Sequence, residues 1–126
     1  MIKITKEQII KLQEQMAERT GGSVGVLHES LLDSAVAAPF LTFGGLELYS
    51  TIEEKAARLC HSLIANHAFA DGNKRIGIHS MLIFLELNNI KLDYTDNDLV
   101  WLGMYTASSH MNYTDILNWI HIHKVK

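Results

Sequence analysis

Apolar residues recur along most of this chain at intervals of three and four, the spacing that gathers them on one side of a helix. Thr5 and Gln8 make a capping-box pair ahead of Ile9, Leu12 and Met16, while Lys11, Glu14 and Glu18 take the other side. The spacing predicts a helix over about 6–19, stopped by Gly21-Gly22. Ser23 to His28 reads as a loop. Leu31, Leu32, Ala35 and Val36 predict a short second helix that ends at Pro39, because proline disfavours helix at the residue before it. Phe40–Tyr49 breaks the period: two short extended pieces flank Gly44-Gly45, the pattern of a small β-hairpin. Taken alone, that hairpin is either a covering loop or a flap over a site.

Ser50 or Thr51 caps the next helix, with Glu53 and Glu54 suited to its positive end. Ile52, Ala56, Leu59, Cys60 and Leu63 form its stripe, and it runs to about Asn66. From Asn73 to Asn88 the polar face almost vanishes, as expected of a helix buried at the centre of its fold. Lys91–Tyr94 is short and extended. A further helix is expected from Thr95 to about Ser109 through Leu99, Leu102 and Thr106. A last one begins near Thr114 and carries Ile116, Trp119 and Ile120. Trp101 and Trp119 read as core, and Lys124-Val125-Lys126 as a frayed, solvated end. The expectation is six helices with 73–88 in the middle.

Length and composition narrow the class. The 126 residues suit one domain, 1–126, and 48% hydrophobic with 20% charged residues suits a globular one. A formal charge of −3 gives no overall attraction to nucleic acid or to an anionic membrane. No signal-peptide core and no run long enough to span a bilayer is present. The one cysteine, Cys60, lies on an apolar stripe and fits a reducing cytoplasm.

The candidate chemistry is concentrated in His67-Ala68-Phe69-Ala70-Asp71-Gly72-Asn73-Lys74-Arg75. This stretch opens the central helix, whose unpaired N–H groups and positive dipole end make an anion site. Gly72 permits close backbone approach. Lys74 supplies a mobile point charge, and Arg75 a planar fork for phosphate oxygens. Asp71 can hold Mg²⁺ through oxygen, and His67 can accept a proton from an attacking hydroxyl. Phe69 anchors the loop in the core. The bland alternative, a solvated turn and cap, stays open on these grounds. The other histidines do not suggest a metal hydrolase. His28, His61, His79 and His110 are scattered, and His121 and His123 point about 200° apart on a helix. His79 reads as a satisfied buried or site-edge side chain.

The nine-residue stretch resembles the signature of the Fic/Doc family, and most nearly its Doc (death-on-curing) branch, His-x-Phe-x-Asp-(Ala/Gly)-Asn-Lys-Arg. Gly21–Gly25, Thr42–Gly45, Tyr49, Ala56-Ala57, Phe84-Leu85 and Asn88-Asn89 are similar to flanking family positions, so the likeness covers roughly 5–95. It implies an all-α helical bundle around a buried central helix, with a β-hairpin flap. Thr42, Phe43, Gly44, Gly45 and Leu46 would align the target segment. It implies His67 as general base, with Lys74 and Arg75 also catalytic. Asp71 would be the Mg²⁺ ligand, and Gly72, Asn73, Lys74 and Arg75 the cradle for ATP phosphates.

Most Fic proteins transfer AMP with His-Pro-Phe-x-(Asp/Glu)-Gly-Asn-Gly-Arg-x-x-Arg. This chain has Ala68, Lys74 and Ile78 at the proline, second glycine and final arginine. In the Doc branch the nucleotide is reversed, which implies phosphorylation of a Ser/Thr hydroxyl on a protein, with a translation elongation factor as the family's target. Gly72 is nearer the AMP-transferring pattern. No internal inhibitory helix is found, since Thr51–Lys55 does not fit one, so the resemblance implies a separate small antitoxin. A degenerate binding module is the non-enzymatic alternative, and a homo-oligomer is left open.

Overall fold

The computed structural model describes residues 1–106, 108 and 111–126. Six helices carry the described chain: α1 (Lys6–Thr20), α2 (Glu29–Ala37), α3 (Ile52–Asn66), α4 (Asn73–Leu87), α5 (Asp96–Thr106) and α6 (Tyr113–His123). A 3-10 turn at Ala38–Phe40 holds Pro39. Two strands, β1 (Thr42–Phe43) and β2 (Leu46–Glu47), pair antiparallel with Phe43 opposite Leu46.

The caps follow the sequence. The Thr5 hydroxyl accepts from the Gln8 N–H and the Gln8 side chain accepts from the Thr5 N–H, closing the box that starts α1. Thr51 and Glu54 do the same for α3, so Thr51 rather than Ser50 is its cap. Gly44 and Gly45 have φ of 59° and 82°, the two positive values that a two-residue hairpin turn of matching twist requires.

The core is built on α3 and α4 together. Met81, Phe84 and Leu85 of α4 meet Leu59, Cys60 and Leu63 of α3, all nearly inaccessible. α3 also packs on α2, on the 3-10 turn and on α6. Gly77 lets the two central helices approach closely: a Cβ there would lie 2.7 Å from Cγ1 of Ile64 and 2.9 Å from the Cys60 carbonyl oxygen. Cys60 is core, as its stripe indicated, and burial pushes its thiol well above the ordinary range.

Two expectations change. Trp119 is buried, but Trp101 is 53% exposed and stacks flat on Tyr105 at 5.3 Å. The α5 periodicity was satisfied by Leu102 and Thr106 alone, which leaves Val100, Trp101 and Met104 outside. The C-terminus is not frayed. Leu92 bridges Lys124, Val125 N–H donates to the Lys91 carbonyl at 2.9 Å, and Lys124 Nζ reaches Glu53 at 2.5 Å. α5 is helical from Asp96 to Thr106; Ser109, its expected end, and His110 lie outside the described residues.

Candidate active site

α3 ends at His67, which adopts the left-handed conformation (φ 47°, ψ 47°). Histidine tolerates this region better than most non-glycine residues. The turn leaves the imidazole exposed and sends Ala68 and Phe69 into the core. The chain then runs alongside the loop after α1. The Leu27 and His28 N–H groups donate to the Ala68 carbonyl at 2.8 and 3.1 Å, Ala70 N–H donates to the Gly25 carbonyl at 3.0 Å, and Val26 bridges Phe69. The motif loop is therefore held like a short strand.

Asn73 closes the loop. Its Oδ1 accepts from Phe69 N–H at 3.0 Å and its Nδ2 donates to the Phe69 carbonyl at 3.1 Å. Both ends of the amide meet backbone, which fixes its orientation; the second Nδ2 hydrogen and the main-chain N–H remain as donors for an anion. Gly72 caps α4 at φ 77° and supplies no side-chain hydrogen bond. The first N–H groups of α4 thus stay open, with the positive end of the helix behind them.

Asp71 is exposed beside this opening. Its Oδ1 accepts from Gly72 N–H at 2.8 Å. Its Oδ2 occupies space that a side chain at position 22 would fill, since a Cβ on Gly22 would fall 2.4 Å from it. The residues fit a Mg²⁺ ion bound through one carboxylate and completed by phosphate and water, the usual manner for this cation. Among the described residues no cluster of three or more His, Cys, Asp or Glu side chains offers a fuller shell.

These groups line a cleft of about 710 Å³. One wall is α4 and its loop, with His67, Asp71, Gly72, Asn73, Lys74 and Arg75. Opposite stand Gln13, Met16 and Ala17 of α1, and Leu99 and Gly103 of α5 close another side. Lys74 and Arg75 are exposed, and among the described residues neither enters an ion pair. Two cations, a helix N-terminus and one carboxylate therefore line the same cleft. His79, one turn beyond Arg75, is half-buried in the same wall. Burial, and then the Arg75 charge, lower its imidazole below the ordinary histidine value, which favours the neutral form.

All six motif residues singled out from the sequence come together here. The hairpin residues Thr42, Phe43, Gly44, Gly45 and Leu46 do not line the cleft; they stand in solvent, with Phe43 80% and Leu46 76% exposed. Two contributors went unnoticed in the sequence. Gln13 lies 3% exposed on the apolar stripe of α1, a polar residue among Ile9, Leu12, Met16 and Ala17. Gly22 stops α1, and its second duty, to make room for Asp71, has no local signal.

The family model for Fic/DOC proteins matches residues 3–85. The chain belongs to the Fic/DOC family. The matched segment holds α1 to α3, the hairpin and nearly all of α4, which is to say the whole motif wall of the cleft. Its all-α fold with one small hairpin is that of a Fic/DOC protein. The chain is also similar to Toxin Doc of Mycolicibacterium smegmatis (strain ATCC 700084 / mc(2)155), with 43% identity over 72 residues. That match takes in 57% of this chain and 55% of the relative, so the chain spans little more than half of that protein's length.

Proposed function

We propose that this Fic/DOC protein is a Doc-like toxin that transfers the γ-phosphoryl group of ATP to a Ser or Thr hydroxyl of a target protein. The observation that carries the reading is the N-terminus of α4, which has no side-chain cap and lines one cleft together with His67, Lys74 and Arg75. Phosphoryl transfer asks a protein mainly to position and to neutralise, and these parts do both. His67 takes the proton of the attacking hydroxyl. As the new O–P bond forms, the bond to the bridging oxygen breaks and ADP leaves. The N–H groups of α4 receive the charge on the phosphate oxygens, with Lys74 as a point charge and Arg75 as a two-pronged donor. Mg²⁺ held by Asp71 would neutralise charge on adjacent phosphates. The similarity to Toxin Doc supports an antitoxin partner, and the family resemblance supports an elongation factor as target. The exposed hairpin, with Phe43 and Leu46 outward, is a surface on which a target segment can lie.

A second reading, AMP transfer, is favoured by Gly72, which matches the AMP-transferring motif. Lys74 weighs against it, because a lysine fills and charges the place where that motif has glycine. Incubation of a candidate target with ATP labelled at the α or the γ position separates the two. Label arriving from the γ position alone is expected; label arriving from the α position alone rejects phosphorylation. Substituting His67→Ala should lower transfer by roughly 10²–10⁴-fold while ATP still binds.

A further inference from the structure

The wall of the cleft contains one buried amide that this chemistry does not use. Gln13 is 3% exposed, and its three hydrogen bonds all go to backbone. Its Nε2 donates to the Ser23 carbonyl at 2.9 Å and to the Asp71 carbonyl at 3.2 Å, and its Oε1 accepts from Gly25 N–H at 3.2 Å. Two carbonyls demand donors and one N–H demands an acceptor, so only an amide satisfies the set. A carboxylate would set an acceptor against two carbonyls, and an apolar side chain would leave all three groups unpaired.

The position of these bonds matters more than their number. The Asp71 carbonyl belongs to the peptide that joins the proposed Mg²⁺ ligand to Gly72, the residue from which α4 starts. Rotation of that peptide would turn the Asp71 carboxylate and the first N–H groups of α4 together. The carboxylate is already tied to this peptide through Oδ1 and Gly72 N–H. Ser23 and Gly25 lie on the loop that templates the motif, since Gly25 also receives Ala70 N–H. Gln13 therefore pins both loops to α1 at the one peptide that aims the anion site.

We propose that Gln13 is a positioning residue that sets the aim of Asp71 and of the open end of α4, and so the Mg²⁺ dependence of nucleotide binding. The proposal rests on the ATP reading above. The test compares the full chain with Gln13→Met, which keeps the volume, and Gln13→Glu, which keeps the shape. MgATP binding is measured by calorimetry over a range of Mg²⁺ concentrations. The variants should need about tenfold more Mg²⁺ for half-maximal ATP binding, the usual scale for loss of a partner that orients a metal ligand. Excess Mg²⁺ should restore binding, and the amides of Gly25 and Ala70 should exchange faster than those of α3. A merely structural glutamine would lower the melting temperature and leave the Mg²⁺ requirement unchanged; that result overturns the proposal.

A further measurement needs no variant. The Gln13 side-chain amide resonance of the wild type should shift on adding MgATP, and a resonance that stays put overturns the proposal even if neither variant folds. Wild type that fails to bind MgATP sinks the nucleotide reading and this proposal with it. Wild type that binds, with variants that match it at every Mg²⁺ concentration, sinks the proposal alone.

Discussion

Asn73 and Asn88 bracket α4, and each uses its side chain as a backbone clamp. Asn88 joins the carboxyl end of the helix to the N-terminal segment, accepting from Ile2 N–H at 2.7 Å and donating to the Ile2 carbonyl at 2.8 Å. Asn73 does the same for the motif loop through Phe69. The sequence shows neither clamp, because an amide's partner is set by where the chain returns. Replacing Asn73 by Ala strands an N–H and a carbonyl of a largely buried residue, which costs about 1–3 kcal/mol per unsatisfied group. Urea unfolding should show a loss of that order, and ATP affinity should fall with it because the loop no longer presents α4 in one orientation. An Asn73→Ala protein with unchanged stability and affinity would show that the clamp is incidental.

Elements are fixed to one another by a few special residues. The hairpin is anchored by Lys55, which is 2% exposed and carries its ammonium to the Tyr49 carbonyl and to Glu47 Oε1, the latter at 3.1 Å. Lys55 is not on the apolar stripe of α3, yet it lies beside Ile4, Val36, Pro39 and Phe40 and is buried there. Glu47 remains hydrated without its partner, but the Tyr49 carbonyl loses its donor, so Lys55→Met should lower global stability by about 1–3 kcal/mol. The Leu48 amide, bonded to the Leu41 carbonyl at 3.1 Å, should then exchange faster while α3 amides keep their protection. Equal exchange in both proteins would mean the hairpin holds itself. Gly77 tests the α3–α4 contact. Gly77→Ala gains up to roughly 1 kcal/mol of helix propensity, but a Cβ 2.9 Å from the Cys60 carbonyl must push backbone, and overpacking costs about 1–3 kcal/mol. A net fall in melting temperature of a few degrees is expected; a rise would show that the helices separate freely.

At the scale of the whole molecule, pH acts through two half-buried histidines. Burial first, and then a neighbouring arginine, lowers both: Arg58 for His61 and Arg75 for His79. The folded chain disfavours protonation of these imidazoles, whereas the unfolded chain protonates them near the ordinary value of 6.5. Their contribution to stability is thus complete above pH 6.5 and is lost as pH falls below it toward the folded values. Thermal unfolding at pH 7.5 and 5.5 should give the lower melting temperature in acid, and the double change His61→Gln, His79→Gln should shrink the difference. Glu53 and Asp98 are also held below their ordinary values, Glu53 through Lys124 and Asp98 chiefly through Thr95, but their losses come at lower pH. An unaltered slope in the double variant would assign the acid loss elsewhere.

The sequence by itself determined the helices, the hairpin and the motif, because each rests on local rules: apolar period, capping pairs, paired glycines and a nine-residue run whose residue types suit phosphate. It also determined that Phe69 turns inward and that Cys60 is core. Tertiary structure decided what those rules leave open. An apolar stripe states that a face wants cover but not whether cover arrives, so Trp119 is buried while Trp101 stands in solvent. The charged C-terminus looked solvated, yet Lys124 finds Glu53, a partner 71 residues away. The cleft itself arises where α1, α4 and α5 converge, and only there do Gln13 and Gly22 join the motif. Distance along the chain carries no information about such meetings; packing of the apolar faces brings them about.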